Sequence, residues 1–305
     1  MTLSVLLNTF ANNILPILLL GGAGFTLGKL LHVDARSLGR VVFYVFSPVL
    51  IFDLLVKNQL KWSEAASVIG FTVTIVLLMG LLAFLFGSFL KLERPALIAI
   101  VITSMFANTG NYGLPLVAFA FGENALSYAG VYFITTTFMF YTLGVVIASL
   151  GHMNLKDAVL GLLKLPTLYA VLLAVLVVEF GIAIPAPLRR AVDLAAGGTI
   201  PLMLVLLGVQ MKDVVLNGNR RALSISVGLR LFAAPLIGLG LAALYGIQGF
   251  ARQGAVTQAS MPSMVSATVL AAEYHLDSKL IAAAVFVSTL LSPLTLTLLL
   301  VFLGS

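Results

Sequence analysis

Asn108-Thr109-Gly110-Asn111-Tyr112-Gly113-Leu114-Pro115 interrupts a long apolar stretch of the chain. Two glycines and a proline fall within about a turn and a half, although Gly costs about 1 kcal/mol and Pro about 3 kcal/mol inside a helix. An unbroken helix from Pro95 to Phe121 would also bury Thr103, Ser104, Asn108 and Asn111 without helical partners for their side chains. The pattern predicts a helix that stops and restarts here.

The surroundings decide what such a break means. Of 305 residues, 61% are hydrophobic and 9% charged, and the mean hydropathy is +1.13. Soluble domains carry roughly 45–50% apolar and about 25% charged residues, so a water-soluble globule is excluded. About 20 apolar residues cross a bilayer, which leaves room for about ten crossings joined by short loops. Candidate helices run near residues 8 to 30, 37 to 56, 65 to 90, 95 to 121, 125 to 150, 161 to 183, 188 to 211, 220 to 246, 250 to 274 and 279 to 303. At membrane depth, backbone groups freed by a break persist only where protein or a wet cavity satisfies them. The break should therefore face the bundle interior, where a substrate would bind.

With ten crossings, eleven Lys and Arg residues fall on one side and five on the other, with Arg230 inside a span. The positive-inside rule then predicts both termini outside the cytoplasm, in a cell (inner) membrane. The net charge of +6 comes without a basic run interleaved with aromatics, so no nucleic-acid partner is expected. There is no cysteine, and His32, His152 and His275 lack ligand spacing, so neither a disulfide framework nor a metal site is expected. The first 28 residues carry no Lys or Arg, unlike a cleavable signal, and the chain is read as mature from Met1. Phosphate loops, zinc spacings and paired catalytic residues are missing, so neither an enzyme nor a cofactor is expected. Gly24 and Gly28 have the spacing of close helix packing, and Trp62 that of an interfacial anchor.

At an offset of 153 residues, Arg36 falls on Arg189 and Pro48 on Pro201. Residues 1–150 and 151–305 would then each hold five spans, and an odd number inverts one half relative to the other, as in many transporters. The symmetry predicts a second break in Gln258-Ala-Ser-Met-Pro262-Ser-Met-Val-Ser266, which has a mid-span proline among polar residues. Two interrupted helices meeting at the midplane would turn half-helix N-termini, each worth about half a positive charge, toward a bound anion. Asn108 and Asn111 would add amide donors, and Ser260, Ser263 and Ser266 hydroxyls; Gly110, Gly113, Pro115 and Pro262 would shape the backbone. The competing reading is that these polar side chains only satisfy freed backbone groups. Arg230 is open to two roles, holding a carboxylate or pairing with Asp53 or Asp193, and those two aspartates are shallow candidates for a charge relay.

The Asn, Gly and Pro spacing of residues 108 to 115 resembles the fourth-span motif of the auxin efflux carrier family. Met261-Pro262 through Ala271-Ala-Glu-Tyr274, and the final span with Ser288-Thr-Leu-Leu291, are similar to that family's ninth and tenth spans. The resemblance implies two inverted five-helix repeats, with broken fourth and ninth helices crossing at the substrate site and a scaffold moving against a transport domain. It also implies organic-anion cargo, with Asn108, Asn111, Gly113 and Pro115 in one half of the crossing and Pro262 in the other. Plant members carry a further proline near the position of Ala267, and a long loop where this chain has about ten residues after Leu150. A compact, bacterial-type member is therefore expected. It would be an all-α secondary transporter or uniporter of small carboxylates or auxin-like acids, working by elevator or rocking alternating access, in the direction of efflux. Its partners would be the anion, the bilayer and a second copy of the chain. A sodium-coupled symporter of the bile-acid-carrier type, or a ligand sensor keeping the same fold, are the alternatives.

Overall fold

The computed structural model describes residues 2–57, 60–149, 160–212, 219–274 and 276–304. The expected division after residue 150, and the loop positions His152, Lys156 and His275, lie outside the described residues. Apart from one isolated β-bridge, regular structure among the described residues is helical. The elements are α1 (Leu3–Leu30), α2 (Ala35–Lys57), α3 (Trp62–Phe89), α4 (Arg94–Met105), α5 (Thr109–Ala148), α6 (Pro166–Glu179), α7 (Ala186–Gln210), α8 (Arg220–Leu244), α9 (Gly249–Ala259), α10 (Ala267–Glu273) and α11 (Ser278–Gly304). Seven of them, α1, α2, α3, α5, α7, α8 and α11, are long and apolar enough to cross a membrane. Their outward faces carry large apolar side chains such as Leu19, Leu194, Leu236, Leu244 and Leu294, each at least 65% exposed. Water would oppose so much exposed apolar surface and lipid does not. The chain is a polytopic helical membrane protein.

Long as it is, α5 is not one rod. Gly122, at φ 72° and ψ −168°, lies in a conformation open to glycine and strained for other residues. A Cβ on Gly110 would sit 3.0 Å from the Phe133 ring, whereas in a straight helix these residues would be about 35 Å apart. The chain therefore doubles back at Gly122, close to the boundary expected between residues 121 and 125.

Proline placement follows a local rule. Pro16, Pro48, Pro115 and Pro235 each lie two residues beyond a five-residue π-helical turn, at Phe10–Ile14, Val42–Phe46, Thr109–Gly113 and Leu229–Ala233. Proline offers no N–H and clashes with the carbonyl four residues back; a widened turn moves that carbonyl aside.

Backbone contact fixes the packing of α1 on α7. A Cβ on Gly24 would lie 2.1 Å from the Val205 carbonyl oxygen, and one on Gly208 1.8 Å from that of Gly21. The small-residue spacing at Gly24 is thus a packing device, as expected. By the same logic Gly254 brings α9 against the Ala125 carbonyl of α5, where a Cβ would come within 2.4 Å. Helices α1, α2, α6 and α7 form one packed group, with α1 on α7, α6 on α2 and α2 on α7; α3, α4, α5, α8, α9 and α11 form the other.

Candidate functional site

The two groups meet around a crossing of extended segments. Helix α4 ends at Phe106, which is extended at φ −106° and ψ 120°, and α5 begins at Thr109. Helix α9 ends at Ala259 and α10 begins at Ala267. Between these ends, Ala107 and Ser263 pair as an antiparallel β-bridge, the Asn108 amide donates to the Pro262 carbonyl at 2.7 Å, and the Met264 amide donates to the Phe106 carbonyl at 2.9 Å. Each break supplies the other's hydrogen bonds, which is how non-helical backbone survives at this depth. Both breaks occur where the glycines and prolines predict them.

The helix ends at the crossing are sorted by sign. Arg230 of α8 is 2% exposed and reaches the C-terminal ends. Its Nη1 donates to the Ser104 carbonyl at 2.9 Å, one Nη2 donates to Ala259 and Met261 at 2.7 Å each, and Nε donates to Met261 at 3.1 Å. Burying an arginine costs about 2.5–3.5 kcal/mol at a helix centre. Hydrogen bonds from a charged donor, at about 1.5–3 kcal/mol each, offset that cost. This corrects the expected pairing: Arg230 holds neither Asp53 nor Asp193, because the orphan carbonyls lie within reach and the aspartates stand at the far ends of α2 and α7.

The opposite, N-terminal ends face a cavity of about 350 Å³. Asn108, Gly110, Asn111 and Ser266 line it, together with Arg36, Arg40, Thr137, Tyr141 and Gln210; among the described residues its lining contains no Asp or Glu. Asn108 is 4% exposed, and its Nδ2 has no acceptor among the described residues. Nor do the backbone N–H groups of Gly110 and Asn111, in the first turn of α5, have a backbone acceptor among the described residues. The Asn111 side chain donates through Nδ2 to Gln210 Oε1 at 3.2 Å.

The other expected site residues stand away from the cavity. Ser260 Oγ donates to the Val256 carbonyl at 2.7 Å, and Ser263 Oγ to Thr103 at 2.9 Å, while the Ser263 amide donates to Ser288 Oγ at 3.1 Å. Both serines satisfy backbone, as the competing reading has it. Gly113 is a close-approach position, where a Cβ would lie 2.0 Å from Gln258 Oε1, and Pro115 is buried outside the lining. Pro262 contributes its carbonyl to the crossing and not to the cavity wall. Gln210, Thr137, Tyr141 and the cavity-lining place of Arg36 and Arg40 were not foreseen. A lone glutamine closing the apolar run of α7 is the one signal that could have marked Gln210.

Asp53 and Asp193 take part in a separate cluster at the opposite ends of α2 and α7. Asp53, its side chain 6% exposed, accepts from Lys57 Nζ at 2.8 Å and from Arg189 Nη2 at 2.6 Å. Asp193 accepts from the same two groups at 3.0 and 2.8 Å. Four charges of zero net sign thus tie α2 to α7 at one end, and the cavity opens at the other. Trp62, mostly exposed, donates through Nε1 to Glu179 at 2.9 Å and links α3 to α6.

A family model described as membrane transport protein matches residues 9–156 and 150–300. An uncharacterized transporter of Methanothermobacter thermautotrophicus is 31% identical over 94% of this chain and 95% of its own length. One of Methanocaldococcus jannaschii is 28% identical over 93% and 95%, and a putative malonate transporter of Rhizobium meliloti is 24% identical over 93% and 92%. The motifs of both breaks and these matches along nearly the whole chain agree: the chain belongs to the auxin efflux carrier family of membrane transport proteins.

Proposed function

We propose that this transporter carries small organic anions, with the anion held at the crossing of the broken helices while alternating access exposes it to each side. The observation that carries this reading is a cavity whose described lining holds donors and no carboxylate: the Asn108 and Asn111 side chains, the first-turn N–H groups of Gly110 and Asn111 in α5, and Arg36 and Arg40. Such a site favours a carboxylate over a cation. That one relative is named a putative malonate transporter supports small dicarboxylates as the first class to test.

The same reading takes α4 with the first part of α5, and α9 with α10, as two broken crossings, which brings the total to ten in two inverted halves, 1–150 and 151–305. The packing supports it: α1 against α7 and α6 against α2 exchange when first and second halves are interchanged. On this reading, with both termini outside as the charge bias predicts, the cavity faces the cytoplasm and the four-charge cluster closes the outer end, an inward-open arrangement.

Proteoliposomes loaded with labelled malonate test this. Each net charge moved through 100 mV is worth about 2.3 kcal/mol, or about 50-fold in the final gradient. An inside-negative potential should drive export in that proportion. Flux that saturates with malonate but ignores potential would rule out uncoupled anion export.

A further inference from the structure

Half-helix C-terminal ends and unwound carbonyls are the groups with which broken-helix carriers coordinate a coupling cation. In this chain the Ser104, Ala259 and Met261 carbonyls converge from both breaks on one point, and a guanidinium already stands there. Its four hydrogen bonds span 2.7 to 3.1 Å, and its side chain is buried. Among the described residues no carboxylate is bonded to Arg230: Asp53 and Asp193 are held by Lys57 and Arg189. Among the described residues, no group of three acidic or histidine side chains could hold a metal ion.

We propose that Arg230 is the resident cation of the crossing, a positioning residue that fills with a tethered charge the carbonyl cage that a mobile cation would otherwise fill. The inference rests on the anion-carrier reading and adds to it the reason no co-transported cation is required. A tethered charge does not travel with the cargo. It holds the two breaks together in every turn of the cycle, and it cancels the negative helix ends so that only the positive ends act on the cavity. A mobile sodium ion would leave and return at each turn and make anion affinity sodium-dependent.

The test is thermal unfolding of the purified full-length protein and of Arg230→Ala and Arg230→Lys. Each is measured in choline chloride, in sodium chloride, and with low-millimolar guanidinium against a urea control. Wild type should unfold at the same temperature in sodium and choline. Arg230→Ala should unfold several degrees lower and be restored saturably by guanidinium and not by urea, as binding to the folded state alone requires. A saturable sodium shift in wild type overturns the proposal, and so does an Arg230→Ala protein that is folded and indifferent to guanidinium. If Arg230→Ala does not fold, Arg230→Lys decides: it keeps the charge and loses the fork, so its unfolding temperature should fall while sodium still gives no shift, and a sodium shift there counts against the assignment. Malonate titrated in the same buffers reads the anion site separately. A malonate response together with a sodium requirement overturns only the resident cation, whereas no malonate response bears on the anion reading alone.

Discussion

Gly24→Ala and Gly22→Ala, two residues apart on α1, should shift stability in opposite directions. At Gly24 the new Cβ would stand 2.1 Å from the Val205 carbonyl oxygen, 2.8 Å from its carbon and 2.9 Å from its Cα. All three are backbone atoms of α7, so no side chain can turn aside. A C···O contact relaxes at about 3.3 Å, which requires α1 and α7 to separate by about 1.2 Å. A gap of about 1 Å already forfeits about half of each dispersion contact, so this one loses at least that along the seam. Overpacking typically costs 1–3 kcal/mol, and the top of that range, about 3 kcal/mol, is expected here. At Gly22 a Cβ meets nothing within 4 Å, and alanine should recover up to about 1 kcal/mol of helix propensity. Thermal unfolding of the two purified variants, read side by side, measures the difference. Equal shifts, or a Gly24→Ala protein as stable as wild type, would show that α1 and α7 do not touch backbone to backbone.

Other consequences are equally direct. Asn111→Asp places a negative charge in the donor-rich cavity, and at an effective dielectric near 20 the repulsion of an anion about 4 Å away is about 4 kcal/mol; malonate affinity should fall at least 100-fold, as a titration followed by thermal shift would read. Asp53→Asn leaves Lys57 and Arg189 with one acceptor fewer, and since both bases are partly exposed the loss should be about 1–2 kcal/mol. Paired with Arg189→Gln in a double-mutant cycle, it should be non-additive by about half of that or more, and strict additivity would deny the contact. Gly122→Ala has open space around it, so any destabilisation comes from the backbone conformation alone, φ 72° and ψ −168°, and should be about 1–3 kcal/mol; none at all would place the reversal of α5 elsewhere.

The breaks were legible because they are written in residue types. Gly110, Gly113, Pro115 and Pro262 are costly in any helix, so their clustering marks both interruptions, and the Gly24 spacing marks a close approach. What the breaks are tied to was not legible. The Asn108 amide on Pro262, and the Met264 amide on Phe106, are backbone bonds that carry no side-chain signature. For that reason the residue types point Arg230 to a carboxylate, whereas the fold brings three backbone carbonyls to it. Ser260 and Ser263 misled because a hydroxyl beside a break serves backbone and ligand equally well, and only geometry separates Ser266, which lines the cavity, from the other two. Gln210 and Tyr141 enter the site from helices α7 and α5 through tertiary packing, which no local spacing encodes.

The central claim is that an anion binds at the crossing through donors that the fold leaves unpaired. Its most direct test is calorimetric or thermal-shift titration of wild type and Asn108→Ala with malonate, longer dicarboxylates, an indole acid and a choline control. Because the Asn108 side-chain Nδ2 has no acceptor to lose among the described residues, and the backbone bond to Pro262 remains, the variant should keep the wild-type unfolding temperature to within about a degree. A lost charge-assisted hydrogen bond, worth about 1.5–3 kcal/mol, should weaken the binding acid roughly 10- to 100-fold. An acid that binds both proteins equally well would contradict the account.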